Sequence, residues 1–419
     1  MNKNMKTIET EDKYCIPFFK KTQISIERGD GIYVFDENEK QYIDLTSGWG
    51  VTCIGHANPV ITDSLIEQSK KIIQNPESGK TYSPSRAKLL QLLSTVLPHN
   101  LNKVFFTNSG AEANDAVIKL ARKVSGKKNV ISTINSFHGR TISTASATGQ
   151  SSHRDKYSPL MPNYLFVPYN DIEEVKKIIK NDVAAVIVEP IQGEGGIIVP
   201  SEDYLTNLSQ ICSENDVFLI LDEVQTGFLR TGTFFCSSPS DIKADFMTMA
   251  KGLAGGFPFG AFAVSEKIAQ KIEIGDHGGT YCGNPLGCAV SYAVIKYLIS
   301  NNIEENVNGI SRMTFEYLYK IQKEFPELIS DIRGKGLLIA LELANDRVTS
   351  NIQKDCLDNG LLINVTHGNI IRLFPALTIT KEEMNKSLLL LKTSIAKHSK
   401  KRYLTKANTV GIQYVTSIK

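Results

Sequence analysis

Residues 217–232 read "VFLILDEVQTGFLRTG". An unbroken apolar run ends on a carboxylate, and turn-forming residues follow. Such a run, short and bounded by turn signals, is the pattern of a strand buried on both faces, as in a parallel sheet. Asp222 then stands at the mouth of the sheet, where open α/β sheets gather their ligands. A carboxylate there needs a positive partner or hydrogen-bond donors. Capping the segment that follows is the other use for it.

Outward from this run, strands and helices alternate from about 104 to 264. "VFFT" (104–107) precedes a helix-like stretch, "EANDAVIKLARKV" (112–124), with apolar residues at 113, 116, 117, 120 and 124. "NVIST" (129–133), "YLFV" (164–167), "AAVIVE" (184–189), "FMTMA" (246–250) and "FGAFAV" (259–264) read as further strands, and 284–300 as a helix. The expected fold is α/β: a large domain with a mostly parallel, mixed sheet covered by helices, plus a smaller α+β domain. Residues 1–50 read as an N-terminal arm ending in a hairpin, since "GIYVFDENEKQYIDL" (31–45) holds two alternating runs around a polar turn. The large domain is expected at 51–305 and the small one at 306–399. Residues 400–419 are a basic tail, either a solvated, frayed end or a binding element.

The chain has 419 residues, enough for two or three domains, and a net charge of +3 that points to no nucleic-acid partner. Its apolar runs are too short to span a bilayer, and its first residues lack the apolar core of a secretory signal. The seven cysteines are scattered and contain no C-x-x-C pair, which argues against a disulfide framework or a zinc ribbon. The histidines are dispersed, so no metal site is expected. The expected setting is cytoplasmic.

Two more features sit at strand ends. In "FFTNSGAEAND" (105–115) a strand gives way to a helix through Ser109, Gly110 and Ala111; the free amides and dipole of that helix start suit a phosphate, although a simple chain reversal uses the same residues. In "TMAKGLAGGFPFGAF" (248–262), Lys251 stands between an apolar run and a glycine-rich loop. Desolvation favours its neutral, nucleophilic amine, suited to a Schiff base; snorkelling to water is the alternative. A phosphate cradle, a carboxylate for a ring nitrogen and an amine for an aldehyde are together what pyridoxal phosphate requires. Rival signatures fail. There is no G-x-G-x-x-G, and "SGKT" (78–81) has Gln74 where a P-loop needs its first glycine.

The wording of these segments resembles the class III aminotransferases, which include the acetylornithine, ornithine and 4-aminobutyrate enzymes. The likeness is carried by "TNSGAEAND", "SFHGRT" (136–141), "VEPIQGEGG" (188–196), "LDEVQTGFLRTG" (221–232), "MAKGLAGGFPFGA" (249–261) and "HGGTYCGNPLGCAV" (277–290). "ERGDGIYVFDENEKQYIDLTSG" (27–48) and "GNIIRLFPALTIT" (368–380) extend it over roughly residues 15–395. The resemblance implies the fold-type-I architecture and a homodimer with shared active sites. It makes Lys251 the Schiff-base lysine, Asp222 the partner of the pyridine nitrogen, Gln225 the contact of the ring hydroxyl and Phe137 the ring-stacking aromatic. Ser109, Gly110 and Ala111 become the phosphate turn, Glu189 a further cofactor neighbour, and Thr280 a phosphate contact from the neighbouring subunit with Gly279 beside it near the substrate.

On the substrate side, the resemblance gives Arg140 a substrate carboxylate, a grip that a planar guanidinium makes in two-pronged fashion. It makes Glu194 and Arg372 a pair: Glu194 masks Arg372 while the donor reacts, then yields it to the distal carboxylate of the keto acid. Trp49 stands where ornithine-type enzymes tend to carry Tyr. The implied activity is transfer of an amino group from an amine or ω-amino acid to a keto acid, with 2-oxoglutarate favoured as acceptor. An aminomutase, racemase or decarboxylase of the same class, or a biosynthetic transaminase on a bulky or carrier-bound substrate, are the alternatives.

Overall fold

Seven strands form the central sheet, in the order Leu101–Thr107, Gly260–Ser265, Phe246–Met249, Phe218–Asp222, Val183–Val188, Asn129–Thr133 and Tyr164–Val167. The structure, a computed structural model, describes residues 3–238 and 242–399. Every residue of Val183–Val188 and of Phe218–Asp222 is buried, as unbroken apolar runs require when helices cover both faces. The helix Gly110–Ser125 lays Ala113, Ala116, Val117 and Leu120 inward and stops at Gly126, whose φ of 70° is the left-handed conformation that ends helices. Gly260–Ser265 runs antiparallel to both its neighbours, so the sheet is mixed but mostly parallel, as expected.

That topology decides where the chemistry lies. The strands ending at Thr107, Thr133, Val188, Asp222 and Met249 point the same way, and their C-terminal ends share one edge of the sheet. Ser109, Phe137, Glu189 and Lys251 each follow closely on one of these ends.

The hairpin of 31–45 is present as Tyr33–Asp36 paired antiparallel with Gln41–Asp44. It gains Ile26–Asp30 on one side and, by parallel pairing, Leu361–Leu362 on the other. The arm before it opens with a helix, Lys3–Tyr14, of whose residues only Asn4 is buried. A second four-stranded sheet, wholly antiparallel, takes Ile329–Lys335, Leu338–Leu343, Ile370–Leu373 and Asn364–Thr366 in that order. The proposed boundary at 305/306 falls in the first turn of the helix Ile303–Glu324. The tail 400–419 lies outside the described residues. Among those described, no helix is long and apolar enough to cross a membrane.

Candidate active site

A cavity of about 710 Å³ opens at the sheet edge, and every residue singled out above borders it except Gly279 and Thr280. Its floor is Asp222. Oδ2 of that carboxylate accepts from Asn114 Nδ2 at 2.7 Å and lies 2.8 Å from His138 Nδ1. Oδ1 accepts from the Val224 amide at 3.1 Å. Asn114 is oriented in turn: it donates to the His138 carbonyl at 2.8 Å and accepts from the Thr248 hydroxyl at 2.7 Å. The donors crowd Oδ2 and leave Oδ1 a lone pair for a cationic N–H in the cavity.

Lys251 follows the strand Phe246–Met249 with a φ of 42°, a left-handed conformation that is costly for a side-chain-bearing residue. Its amine donates to Gln225 Oε1. Burial holds the Lys251 amine below the usual lysine range, and Arg372 adds to this against the opposing carboxylates of Glu194, Glu189 and Asp222. Desolvation outweighs attraction, so the amine is less basic than that of an exposed lysine.

Beside Asp222, Glu189 directly follows the neighbouring strand Val183–Val188. Its two oxygens accept the amides of Phe137 at 2.8 Å and Gly193 at 2.9 Å, tying two walls of the cavity together. Burial pushes its carboxyl up to about 7. At the helix Gly110–Ser125 the Ser109 hydroxyl accepts from the Glu112 amide at 3.2 Å, while the first helical amides have no carbonyl of their own helix to meet. A Cβ at Gly110 would lie 2.9 Å from both Val224 methyl carbons, so the close approach of this turn to the Asp222 loop requires glycine.

On the opposite wall, Arg372 reaches in from the antiparallel sheet. Its Nη1 lies 2.9 Å from Glu194 Oε1 and its Nη2 donates to Oε2 at 3.1 Å, a two-pronged pair. Nη1 also donates to the Gly193 carbonyl at 3.0 Å and Nε to Asn364 Oδ1 at 2.7 Å. Burial works against the Glu194 charge, but Arg372 and Lys251 hold its carboxyl below the usual range. Arg140 is exposed at the mouth, its guanidinium carbon 5.5 Å from the centre of the Phe137 ring. The pair the sequence suggested is therefore adjacent, and Arg140 is at hand for a separate anion.

Gly279 and Thr280 border a different groove, of about 1060 Å³, where Ser78 and Gln74 bond the carbonyls of their loop. Several residues of the main cavity escaped the sequence reading. His138 and Asn114 lie inside quoted motifs, yet a single polar residue in a helix or turn gives no signal of a buried network. His153, edge-on to the Phe137 ring at 5.9 Å, and Phe19 from the arm are recognisable only once the chain is folded.

The family model for aminotransferase class-III matches residues 18–395. The acetylornithine aminotransferase of Methanothermobacter thermautotrophicus is 40% identical over 380 residues, covering 90% of this chain and 95% of that protein. The crystal structure of the ornithine aminotransferase from Toxoplasma gondii ME49 superposes with a TM-score of 0.90 at 26% identity, covering 95% of this chain and 96% of that one. A structure of the Toxoplasma gondii ornithine aminotransferase crystallised with oxidised glutathione, described as holding pyridoxal phosphate at partial occupancy in its active site, gives 0.88 at 26% identity and covers 93% and 94%.

Proposed function

The chain belongs to the class III aminotransferases, and on that premise we propose that it carries the terminal amino group of an ω-amino acid to 2-oxoglutarate. It is a pyridoxal-phosphate-dependent enzyme of fold type I. The observation that carries the finer reading is the two-pronged Arg372–Glu194 pair facing the Lys251 amine across one cavity. Its relatives favour aminotransfer over the aminomutase, racemase or decarboxylase alternative.

The donor set fits the cofactor. Asp222 Oδ1 has a lone pair to offer a protonated ring nitrogen, the Gly110 turn is too close-packed for a side chain, and the amides at the helix start suit a phosphate. In this reading Lys251 would hold the aldehyde carbon, Gln225 would meet the ring hydroxyl, Phe137 would cover the ring, and Ser109, Gly110 and Ala111 would take the phosphate. Bound pyridoxal phosphate supplies an aldehyde that accepts the amino group and a ring that stores an electron pair.

The rest is done by the chain. The lowered basicity of Lys251 makes its proton easier to lose, and Nζ once deprotonated would take the proton from the amine-bearing carbon of the donor and later return one. Asp222, fixed by His138 and Asn114, would keep the cofactor's ring nitrogen protonated. Arg140 takes the donor's carboxylate. Glu194 occupies Arg372 during the first half-reaction, and its departure presents a bidentate site to the acceptor's distal carboxylate. One pocket thereby admits two differently charged substrates in turn.

A homodimer completes the reading: Thr280, which borders a different groove from its own chain's cavity, would serve the phosphate of a second subunit. A reducing, cytoplasmic setting suits the seven unpaired cysteines, most of them buried. The test is a half-reaction screen in which candidate ω-amino acids are mixed with the yellow enzyme and loss of the aldehyde absorbance is followed. Lys251→Ala should give no turnover and no cofactor fixed to the chain by borohydride; substantial residual transamination would contradict the assignment.

A further inference from the structure

Asp44 has no part in the chemistry above, yet the residue is 4% exposed and its carboxylate is fully bonded. Oδ1 accepts from the Thr46 amide and the Thr46 hydroxyl, each at 2.7 Å. Oδ2 accepts from the Ser47 amide at 3.1 Å and meets His56 Nε2 at 2.8 Å. Three of these contacts grip the root of one turn, and His56 holds the carboxylate from the far side. Asp44 itself ends a strand, and the amide of Leu45 is fastened to the Leu362 carbonyl at 3.0 Å. The root of the turn is therefore rigid.

The turn is strained. From Ser47 to Gly50 the φ angles are 44°, 57°, 63° and 79°. Glycine takes left-handed backbone freely at 48 and 50, but Ser47 and Trp49 do so at a cost and persist there only where their surroundings hold them. What the turn delivers is the Trp49 indole, which borders the cavity with its ring centre 5.8 Å from that of Phe19 and tilted by 53°. Its far side is fixed too: Gln225 Nε2 donates to the Trp49 carbonyl at 3.3 Å, and a Cβ at Gly50 would lie 2.8 Å from that same nitrogen. Relaxation of either strained residue to negative φ would swing the indole off Phe19. The acceptor's second carboxylate, held by Arg372 on another sheet, would not register the change.

We propose that Asp44 is a positioning residue for the amino donor: by clamping the left-handed turn 47–50 it sets the Trp49 indole against Phe19 at the cavity mouth, and through that ring it sets donor affinity. The inference rests on the proposed function and takes Trp49, which borders the cavity, as a contact of the donor. It requires no change in the reaction itself, only in how tightly one of the two substrates is gripped.

The chain has a single tryptophan, so indole fluorescence reports on position 49 alone. Asp44→Asn keeps the shape but turns an amide NH₂ toward the Ser47 N–H or the Thr46 donors, so part of the clamp is lost. In the cofactor-loaded enzyme it should shift the tryptophan emission, raise the donor KM about tenfold and leave the acceptor KM unchanged. His56→Gln perturbs a single contact and should move both readouts the same way by less. Unaltered emission in Asp44→Asn, or an equal rise in both KM values, overturns the proposal. Should Asp44→Asn not fold, His56→Gln decides by the same readouts. Trp49→Ala separates the two levels. An unchanged donor KM there overturns the assignment of Trp49 to the donor, whereas a raised one beside an unaltered Asp44→Asn overturns the role of Asp44 alone.

Discussion

Arg372 is 2% exposed and meets Glu194 oxygen to nitrogen on both prongs, so each charge depends on the other for the water it has given up. Replacing the guanidinium by an amide should raise the acceptor KM about a hundredfold, the size of a lost charge-assisted bidentate contact, with a smaller effect on the donor half-reaction. Steady-state kinetics of Arg372→Gln with each substrate varied separately would read this directly. The same variant should be less stable at neutral pH. Because Arg372 holds the Glu194 carboxyl below its usual range, the pair's contribution is present above about pH 4, where an unfolded carboxylate is ionised, and is lost as pH falls through the folded value. Unfolding curves of wild type and variant should therefore differ at pH 7 and converge in acid; a gap that widens in acid would contradict the pairing. Both residues were legible in the sequence through motif likeness, as were Lys251 and Asp222 at the ends of apolar runs. His138, Asn114 and Thr248, which orient Asp222, were not, because hydrogen bonds between residues 114, 138, 222 and 248 leave no periodicity to read.

Elements were legible where one local signal decided them. The helix Lys381–Ala396, not singled out within the expected small domain, carries such a signal at its start: Thr380 and Glu383 stand in the T-x-x-E pattern, and the structure has both reciprocal bonds, the Glu383 amide to Thr380 Oγ1 at 3.2 Å and the Thr380 amide to Glu383 Oε2 at 2.9 Å. Thr380→Ala should cost about 1 kcal/mol, measured as a lower denaturant midpoint with an unchanged slope and unchanged donor KM. Strands such as Val183–Val188 and Phe218–Asp222 were visible as apolar runs, but a run carries no direction, so the antiparallel Gly260–Ser265 between two parallel-running neighbours had to come from the fold. The helix Lys3–Tyr14 was missed for the opposite reason. Nearly all of its residues are exposed, and the Asn4–Asp36 bond of 3.0 Å that fastens it spans a sequence separation no local pattern records. The turn 47–50 was unreadable too, since nothing in "TSGWG" says that a tryptophan will be held at positive φ.

At the scale of the whole molecule, the groove that holds Gly279 and Thr280 is lined by Phe105, Phe262 and Ile272 as well as by Arg86, an apolar hollow with a cation at its side. Apolar hollows of this kind suit association with another chain, and on the proposed assignment of Thr280 to a phosphate, its absence from the lining of its own cavity calls for a second subunit. In a two-fold dimer each site would then take Lys251 from one chain and Thr280 from the other. That arrangement makes a demand a self-contained site does not. Lys251→Ala lacks the amine, and Thr280→Asp sets a carboxylate against the phosphate, so each variant alone should be nearly inactive. Unfolded together and refolded as a mixture, they form hybrids in which one site joins the intact Lys251 of the second chain to the intact Thr280 of the first. The mixture should regain about a quarter of wild-type turnover, because half the dimers are hybrids and each hybrid has one complete site. If Thr280 serves the cavity of its own chain, every site in the hybrid keeps one lesion and no activity returns, although the hybrids still form and can be counted by the mass of differentially tagged subunits.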